Sequence, residues 1–252
     1  MMEVLKPKFI GIGAMRSGTT SLFHCFSQHP AFSSPRYKEA RFFDWEYQQG
    51  SEWYNLHFPV YHGLGEFTGE FTPGYFSHPY VPERVCKYLD ENALQPRFIL
   101  MLRNPVDRAF SHWCMLEAMN MEPEPFDRSV NGEFLRLNFK HRPYKDQAYH
   151  NYGYVYNGLY ERHFKEWLKV FTLDCFLIIK SEDFLKNPTQ TWKQVCDFLE
   201  VDHVKIKKVV KCNSYSHLQH DKYKDTFDQL KEYFSSHNLK LYELIGRDLG
   251  WQ

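Results

Sequence analysis

Short and almost continuous apolar runs, each followed by a helical pattern, are the feature that most limits how this chain can fold. Three of them occupy residues 9–13, 97–102 and 175–179, and residues 66–71 are a candidate for a fourth. A strand that is apolar at nearly every position belongs to a sheet buried on both faces, because an exposed face would impose alternation. The sequence therefore predicts an α/β fold whose central parallel sheet is flanked by helices on both faces.

The connections between these elements indicate a single domain over residues 1–252. The sequence has no internal repeat, low-complexity tract or Gly/Ser linker that would mark a boundary. Residues 121–156 are polar, aromatic and irregular, and a plain connector of this length is uncommon, so they are predicted to form a substrate loop or lid. The predicted helices cover residues 18–27, 82–92, 105–119, 158–170, 189–199 and 225–236.

The charge balance argues against a nucleic-acid-binding protein. Lys+Arg and Asp+Glu both number 31, so the formal net charge is 0, although a local basic cleft is compatible with that sum. Charged residues at 25% and hydrophobic residues at 43% are ordinary for a globular protein. Aromatic residues make up 18% of the chain. Most of them are expected in the core, and some can serve as stacking platforms for a base or a sugar ring.

Signals for membrane insertion, secretion and metal binding are weak. The mean hydropathy is −0.58, no stretch approaches the ~20 apolar residues of a membrane helix, and the N-terminus lacks the hydrophobic region of a signal peptide. The six cysteines are widely spaced without a C-x-x-C pair, which favours reduced, buried thiols. Only His217 and His220 are close enough for a metal pair, and no further ligand is suitably spaced, so no metal site is predicted.

The strongest local signal is a glycine-bounded segment, GAMRSGTTS, that runs from Gly13 to Ser21 directly after the first apolar run. A turn of this kind followed by a helix N-terminus directs backbone N–H groups at an anion. Arg16 adds positive charge, and the hydroxyl groups add further donors. The Gly13-x4-Gly18 spacing is that of a Walker A loop, but Thr19 stands where that motif requires lysine. The segment therefore predicts a P-loop-type phosphate site that differs from that of an ATPase.

A second anion-binding signal is the segment RNPVDRAFS, which begins at Arg103 immediately after another apolar run. Open α/β sheets bind their ligands at the carboxyl edge, which is the position that Arg103 takes. Pro105 suits the first turn of a helix, and Ser111 lies two turns along it. Arg103 and Ser111 are therefore predicted to bind a second phosphate, whereas Arg108 is predicted to be a solvated arginine.

Because it contains both of these segments in this order, the chain resembles the sulfotransferases that use 3′-phosphoadenosine-5′-phosphosulfate (PAPS). The resemblance extends over residues 7–251 and is closest to the branch that contains the heparan sulfate N- and 3-O-sulfotransferases and their bacterial relatives. No single segment is decisive, but the order and spacing of the segments are specific. Besides the two phosphate segments, the matching stretches include KEARFFD at 38–44, EFTPGYF at 70–76, SEDF at 181–184 and LGW at 249–251.

The resemblance implies an enzyme with the sulfotransferase fold, PAPS as donor co-substrate, 3′-phosphoadenosine-5′-phosphate (PAP) as product, and no metal. Arg103 and Ser111 would bind the 3′-phosphate of the nucleotide. Glu39 would be the general base that takes a proton from the acceptor, and Arg16 would also assist the transfer. The 5′-phosphosulfate would be held by Arg16, Ser17, Gly18, Thr19, Thr20 and Ser21.

Departures from this branch leave the acceptor open. The 3-O enzymes usually have a histidine two residues after the glutamate, which is Arg41 here, and a lysine in the Thr-Pro segment, which is Phe71 here. The predicted acceptor is therefore a hydroxyl or amine of a glycan or of a small hydroxylated molecule, and the oligomeric state is open. His112, beside Ser111, is a rival candidate for the general base. Basic residues of the 121–156 stretch that could bind an anionic acceptor are Arg128, Arg136, Lys140, Arg142 and Lys145.

Two other functional classes remain possible from the sequence: a P-loop nucleotide kinase or other NTPase, and a non-catalytic carbohydrate-binding domain. A kinase needs the loop lysine and an acidic residue for Mg²⁺, and Thr19 and Arg103 occupy those places. A binding module would explain the aromatic residues but not two phosphate segments. The predicted location is cytoplasmic for a complete chain, or the Golgi lumen for the excised catalytic domain of a longer protein, and no transmembrane segment is expected in this chain.

Overall fold

The computed structural model of the protein describes residues 4–63, 66–137, 148–207, 209–210 and 221–251. The chain divides into two compact units. The first unit consists of Met1–Leu102 and Glu166–Cys212, and the second consists of Arg103–Lys165 and Asn213–Gln252. The prediction that residues 1–252 form one domain stays a prediction.

The first unit contains a four-stranded sheet in which all strands are parallel. Strand β1 (Pro7–Gly13) lies between β2 (Thr68–Phe71) and β3 (Phe98–Leu102), and β4 (Phe176–Lys180) pairs with β3. All five residues of β3 are buried, as expected for a strand covered on both faces. The predicted central parallel sheet is therefore confirmed, and the carboxyl ends of its strands share one edge.

Helices and short turns make up the rest of the regular structure in the described residues. The helices are α1 (Thr19–Phe26), α2 (Gly50–Asn55), α3 (Val81–Glu91), α4 (Pro105–Ala118), α5 (Phe126–Leu137), α6 (Ala148–Tyr152), α7 (Tyr160–Leu168), α8 (Ser181–Lys186), α9 (Pro188–Leu199) and α10 (Lys224–Ile245). A π-helical turn occupies Phe42–Glu46, and 3₁₀ turns occupy Tyr47–Gln49, Pro73–Tyr75, Tyr156–Gly158, Leu173–Cys175 and Asp221–Tyr223.

Both faces of the sheet are covered by apolar side chains of the first unit. Successive residues of a strand point to opposite faces, which separates Phe98 from Ile99. Ile99 belongs to a buried cluster with Phe26 of α1 and Trp192 of α9, and the rings of Phe26 and Trp192 meet edge to face with centroids 5.0 Å apart. On the other face, the rings of Phe98 and Trp167 are 5.1 Å apart. This packing fixes the strands that carry the carboxyl edge.

The core of the second unit is formed by α4, α5 and α10. Phe110 of α4 lies 5.1 Å, centroid to centroid, from Phe126 of α5 and 5.1 Å from Phe227 of α10. All three side chains are buried. Aromatic pairs at these distances add to the stabilisation that comes from buried apolar area, so α5 is an integral part of this core.

Helix α10 is longer than the sequence pattern predicts. The prediction ended at residue 236, whereas the helix continues to Ile245. Asn238 and Leu241 remain buried in this continuation, and the polar Asn238 interrupts the apolar stripe on which the prediction depended. Gly246 then ends the helix in the left-handed conformation, with φ at 63°.

The stretch 121–156 was predicted to be irregular, and this is wrong for α5 and α6, which lie within it. Phe126 packs in the core, and the Glu133 carboxylate accepts the N–H groups of Val155 at 2.6 Å and Tyr156 at 2.8 Å. The role of residues 121–156 as a substrate loop or lid stays a prediction.

Among the basic residues of this stretch, Arg128 is exposed and lies 3.6 Å from a carboxylate oxygen of Glu124. The Arg136 side chain and the residues Lys140, Arg142 and Lys145 lie outside the described part of the structure.

Five described cysteines have free thiols, of which three are buried and two are half-buried: Cys25, Cys114 and Cys196, and then Cys86 and Cys175. The residues Cys212, His217 and His220 lie outside the described part of the chain. In that described part, none of the helices is both long enough and apolar enough to cross a membrane.

Candidate functional site

The loop that follows β1 requires glycine at both of its ends. A Cβ atom on Gly13 would lie 2.7 Å from Cβ of Phe76, which is closer than real Cβ atoms approach, and 3.0 Å from the carbonyl oxygen of Pro73, which is an unusually tight contact. Gly18 is the N-cap of α1 and has φ at 91°, in the left-handed region that favours glycine. The two glycines of the Walker-like spacing therefore set the backbone path of this loop.

Arg16 and Ser17 are the loop residues that most clearly indicate a ligand site. Arg16 is half-buried and has φ at 69°, a conformation that costs a residue with a side chain about 1–2 kcal/mol and that is concentrated at functional sites. Ser17 is buried, and its carbonyl accepts a hydrogen bond from the hydroxyl of Ser181 at the start of α8. The Ser17 hydroxyl itself has no hydrogen-bond partner among the described residues. Because an unpartnered buried hydroxyl costs free energy, it fits a ligand that offers an acceptor oxygen.

The predicted base Glu39 lies beside this loop. Nζ of Lys38 is 2.8 Å from Oε1 of Glu39 and 3.5 Å from Oγ1 of Thr19, the first residue of α1. Side-chain exposure is 17% for Lys38 and 39% for Glu39, so the carboxylate remains accessible from solvent. The structure thus brings Glu39 to the loop that contains the predicted phosphate-binding residues. Thr20 and Ser21 complete the first turn of α1.

The segment that carries Glu39 is fixed to the end of β2. The N–H of Arg41 donates to Oγ1 of Thr72 at 3.2 Å, and the N–H of Phe42 donates to Oη of Tyr75 at 2.9 Å. These bonds join a segment outside the sheet to residues that directly follow a strand. The position of Glu39 therefore depends on the carboxyl edge of the sheet.

Glu70, in β2, is the centre of the hydrogen bonds below that segment. Its carboxyl group is completely buried and accepts from Oη of Tyr54 at 3.2 Å and from Oγ1 of Thr72 at 2.6 Å. Tyr75 and the backbone N–H of Ala40 also donate to it. Burial raises the pKa of Glu70 to about 8, although these donors oppose the shift. In the sequence, Glu70 stands out only as part of the matching stretch at 70–76, and the one signal of its role is that a glutamate lies in a buried strand.

Arg41, which stands where the 3-O enzymes usually have histidine, is held by its neighbours. Its Nη2 lies 3.6 Å from Oδ2 of Asp44, and its guanidinium lies 3.4 Å from the centre of the Trp45 ring. Burial raises the pKa of Asp44 to about 6, and the charge of Arg41 opposes this shift. Arg41 therefore acts as a cation between a carboxyl group and an aromatic ring, which a histidine would do only when protonated.

Arg103 and Ser111 both belong to the second unit. Arg103 is half-buried, and its carbonyl accepts a hydrogen bond from Oη of Tyr160 at 2.9 Å. Asn104 caps α4, because its Oδ1 accepts the N–H of Val106 at 3.0 Å. Ser111 is buried on α4. The predicted role of Arg103 and Ser111 in binding a 3′-phosphate stays a prediction.

His112 and Arg108 are completely buried on α4, one turn apart. The His112 ring packs edge to face on the Tyr154 ring, with centroids 4.9 Å apart. Arg108 donates to the carbonyl oxygens of Tyr154 and Gly153, and burial lowers its pKa. The prediction of a solvated Arg108 is therefore wrong, because a backbone segment of the second unit supplies carbonyl acceptors that the local sequence does not reveal.

Comparison with known families identifies the class of protein that this fold and loop define. The sequence model described as "Sulfotransferase domain" matches residues 6–240. The chain therefore belongs to the sulfotransferase family.

Individual relatives agree with this assignment. The crystal structure of a sulfotransferase from Alicyclobacillus acidocaldarius superposes with a TM-score of 0.78 at 28% identity and covers 98% of both chains. The membrane-associated sulfotransferase kil1 of Dictyostelium discoideum is 26% identical over 98% of this chain and 66% of its own length. Human heparan sulfate glucosamine 3-O-sulfotransferase 3B1 is 25% identical over 97% of this chain and 65% of its own length. The chain thus spans slightly less than two thirds of these curated relatives.

The comparisons confirm the predicted sulfotransferase family and fold. None of the matches described above favours a nucleotide kinase or a carbohydrate-binding module. The roles assigned to individual residues stay predictions.

Proposed function

We propose that the protein transfers a sulfuryl group from PAPS to a hydroxyl or amine of a glycan or of a small hydroxylated molecule. The observation that carries this proposal is the carboxylate of Glu39 beside a phosphate-type loop, with Lys38 in contact with both Glu39 and Thr19. A base next to an anion-binding loop is what direct transfer to an acceptor requires. Membership of the sulfotransferase family supports PAPS as the donor.

The residues of the loop fit the phosphosulfate end of the donor. When bound, PAPS supplies the sulfuryl group and is released as PAP. The buried Ser17 hydroxyl has no hydrogen-bond partner among the described residues and can donate to an anionic oxygen. The N-terminus of α1 attracts negative charge, and Arg16 adds a guanidinium that can bind two anionic oxygens at once. Thr19, Thr20 and Ser21 add hydroxyl groups in the first turn of α1, and Gly18 permits the turn. Arg103 and Ser111 are assigned to the 3′-phosphate on the strength of the family resemblance.

Glu39 is the proposed general base. The acceptor oxygen forms a bond to sulfur while the bond from sulfur to the 5′-phosphate oxygen breaks, and that oxygen keeps the electron pair. The acceptor proton passes to Glu39. The partial exposure of Glu39 supports this assignment over His112, because His112 is completely buried behind the Tyr154 ring.

The acceptor is proposed only as a class. The name of the human relative assigns it to glucosamine residues of heparan sulfate, which supports a glycan acceptor. The contact between Arg41 and Trp45 also supports a sugar as the acceptor. An aromatic face suits a sugar ring, and a cation suits its hydroxyls and acidic substituents. The zero net charge gives no support to a long polyanion track.

The test is a radiolabelled sulfate-transfer screen from PAPS over glycans and small alcohols, with wild type, Glu39→Gln and His112→Ala. Glu39→Gln keeps the size and polarity of the side chain but removes the base, so turnover should fall by about 10²–10⁴-fold with nearly unchanged PAP binding. Circular dichroism and urea midpoints establish that each variant folds. An active Glu39→Gln beside a folded, inactive His112→Ala would make His112 the base.

A further inference from the structure

Lys38 lies where one ammonium group contacts both the phosphate loop and the proposed base. Its Nζ is 3.5 Å from Oγ1 of Thr19 and 2.8 Å from Oε1 of Glu39. The side chain is 17% exposed, although lysines usually extend into water. Lys38 therefore reaches towards the first turn of α1 instead of standing free on the surface.

The backbone holds Lys38 in this position. Its carbonyl oxygen accepts the N–H of Phe71, the last residue of β2, at 2.9 Å. Three residues later, the N–H of Arg41 is bound by Thr72. A partly exposed ion pair between adjacent residues such as Lys38 and Glu39 contributes little to folding stability. The contact with Thr19, nineteen positions away in the sequence, is therefore better explained by a need for positive charge at the loop.

The loop itself has little positive charge. Between Gly13 and Ser21, Arg16 is the one basic residue, and Thr19 occupies the position at which a Walker A loop has lysine. The Lys38 ammonium lies within 3.5 Å of the hydroxyl of that same Thr19. A lysine from a different segment thus places its charge next to the position where the motif would have put it.

We propose that Lys38 is a catalytic residue that contacts the 5′-phosphosulfate end of the donor; this inference rests on the proposed function. As the bond between sulfur and the phosphate oxygen breaks, negative charge builds on that oxygen, and the Lys38 ammonium stabilises it. The acceptor proton goes to Glu39. Glu39 engages the same ammonium at 2.8 Å, so the donor and the base would compete for one cation.

The experiment measures nucleotide binding by calorimetry, which does not depend on knowing the acceptor. The ligands are PAP and adenosine 3′-phosphate, which differ in the 5′-phosphate alone. In Lys38→Met, the Kd for PAP should rise by at least about tenfold, because a charge-assisted hydrogen bond is lost. The Kd for adenosine 3′-phosphate should be unchanged. Lys87→Met, which removes an exposed lysine paired with Glu91 on α3, is the matched control and should bind both ligands like wild type.

The neutral variant Lys38→Gln repeats the test if Lys38→Met does not fold, and Lys38→Arg should recover part of the PAP affinity because it keeps the charge. An equal loss of affinity for both ligands would show a structural role and overturn the inference. Unchanged PAP binding in Lys38→Met or Lys38→Gln would also overturn it while leaving the proposed function intact. A wild-type protein that fails to bind PAP would instead overturn the proposed function, and the inference with it.

Discussion

Glu70 is a fully buried carboxyl group whose hydrogen bonds hold the segment that carries Glu39. Burial raises its pKa from 4.5 to about 8, against the opposing effect of hydrogen bonds from Thr72, Tyr75 and Ala40. Between these two values the folded protein retains a proton that the unfolded chain has lost. The contribution of Glu70 to the free energy of unfolding is therefore fully present below the unfolded pKa of 4.5 and is lost as the pH rises to about 8.

Glu70→Gln isolates this effect, because glutamine imitates the protonated carboxyl group at every pH. The free energy of unfolding of wild type should fall relative to that of Glu70→Gln between about pH 5 and about pH 8, by at most about 1.4 kcal/mol per pH unit. Urea unfolding at several pH values measures it. Glu166→Gln, which removes a carboxylate that is exposed and paired with Lys169, is the control for loss of charge. A difference between wild type and Glu70→Gln that is independent of pH would contradict the prediction.

At the scale of elements, the sequence predicts the strands and helices whose buried residues are apolar and recur at a regular spacing. The strand before Arg103 is apolar at every position, and Asn104 with Pro105 starts the next helix where predicted, so β3 and α4 are found with ends within one residue. Helix α5 was missed because Ser129 and Glu133 on its buried side are polar. Their partners, such as the Val155 N–H that Glu133 accepts, lie elsewhere in the chain. No apolar stripe therefore marks this helix.

The junction between β1 and α1 gives an element-scale prediction. In Gly13→Ala, the new Cβ would lie 2.7 Å from Cβ of Phe76 and 3.0 Å from the Pro73 carbonyl, so the loop or the turn after β2 must shift. We expect a loss of about 2–3 kcal/mol in the free energy of unfolding, measured with urea. Gly63→Ala has nothing within 4 Å of the new Cβ and should change stability by less than about 0.5 kcal/mol. Equal stabilities of the two variants would contradict this account of Gly13.

At the scale of the whole molecule, the candidate site has two kinds of residue. Some are neighbours in the sequence, and others meet only when the chain is folded. The turn from Gly13 to Ser21 could be predicted because neighbouring residues specify its backbone path, and its role in binding phosphate stays a prediction. The general-base role of Glu39 was inferred from the resemblance to a family, since nothing in the local sequence identifies a base. Lys38 and Glu70 were not assigned roles, because their contacts with Thr19 and Tyr54 exist only in the folded chain. The sequence thus predicts the anion site but not the residues that support it.

Ligand-induced stabilisation of the whole protein tests that anion site against the kinase alternative. A ligand that binds only the folded state at 100 times its Kd adds about 2.7 kcal/mol to the free energy of unfolding, which for a chain of this size raises the Tm by several degrees. PAP should produce such a shift. ATP with Mg²⁺ should not, because Thr19 replaces the loop lysine and Arg103 stands where an acidic residue would hold the metal. Thermal unfolding with PAP, with ATP and Mg²⁺, and with inorganic phosphate at matched ionic strength measures the difference, the phosphate arm being the control for general anion binding. An equal or larger shift with ATP and Mg²⁺ would favour an NTPase, because the donor specificity would then follow the triphosphate and not the 3′-phosphate.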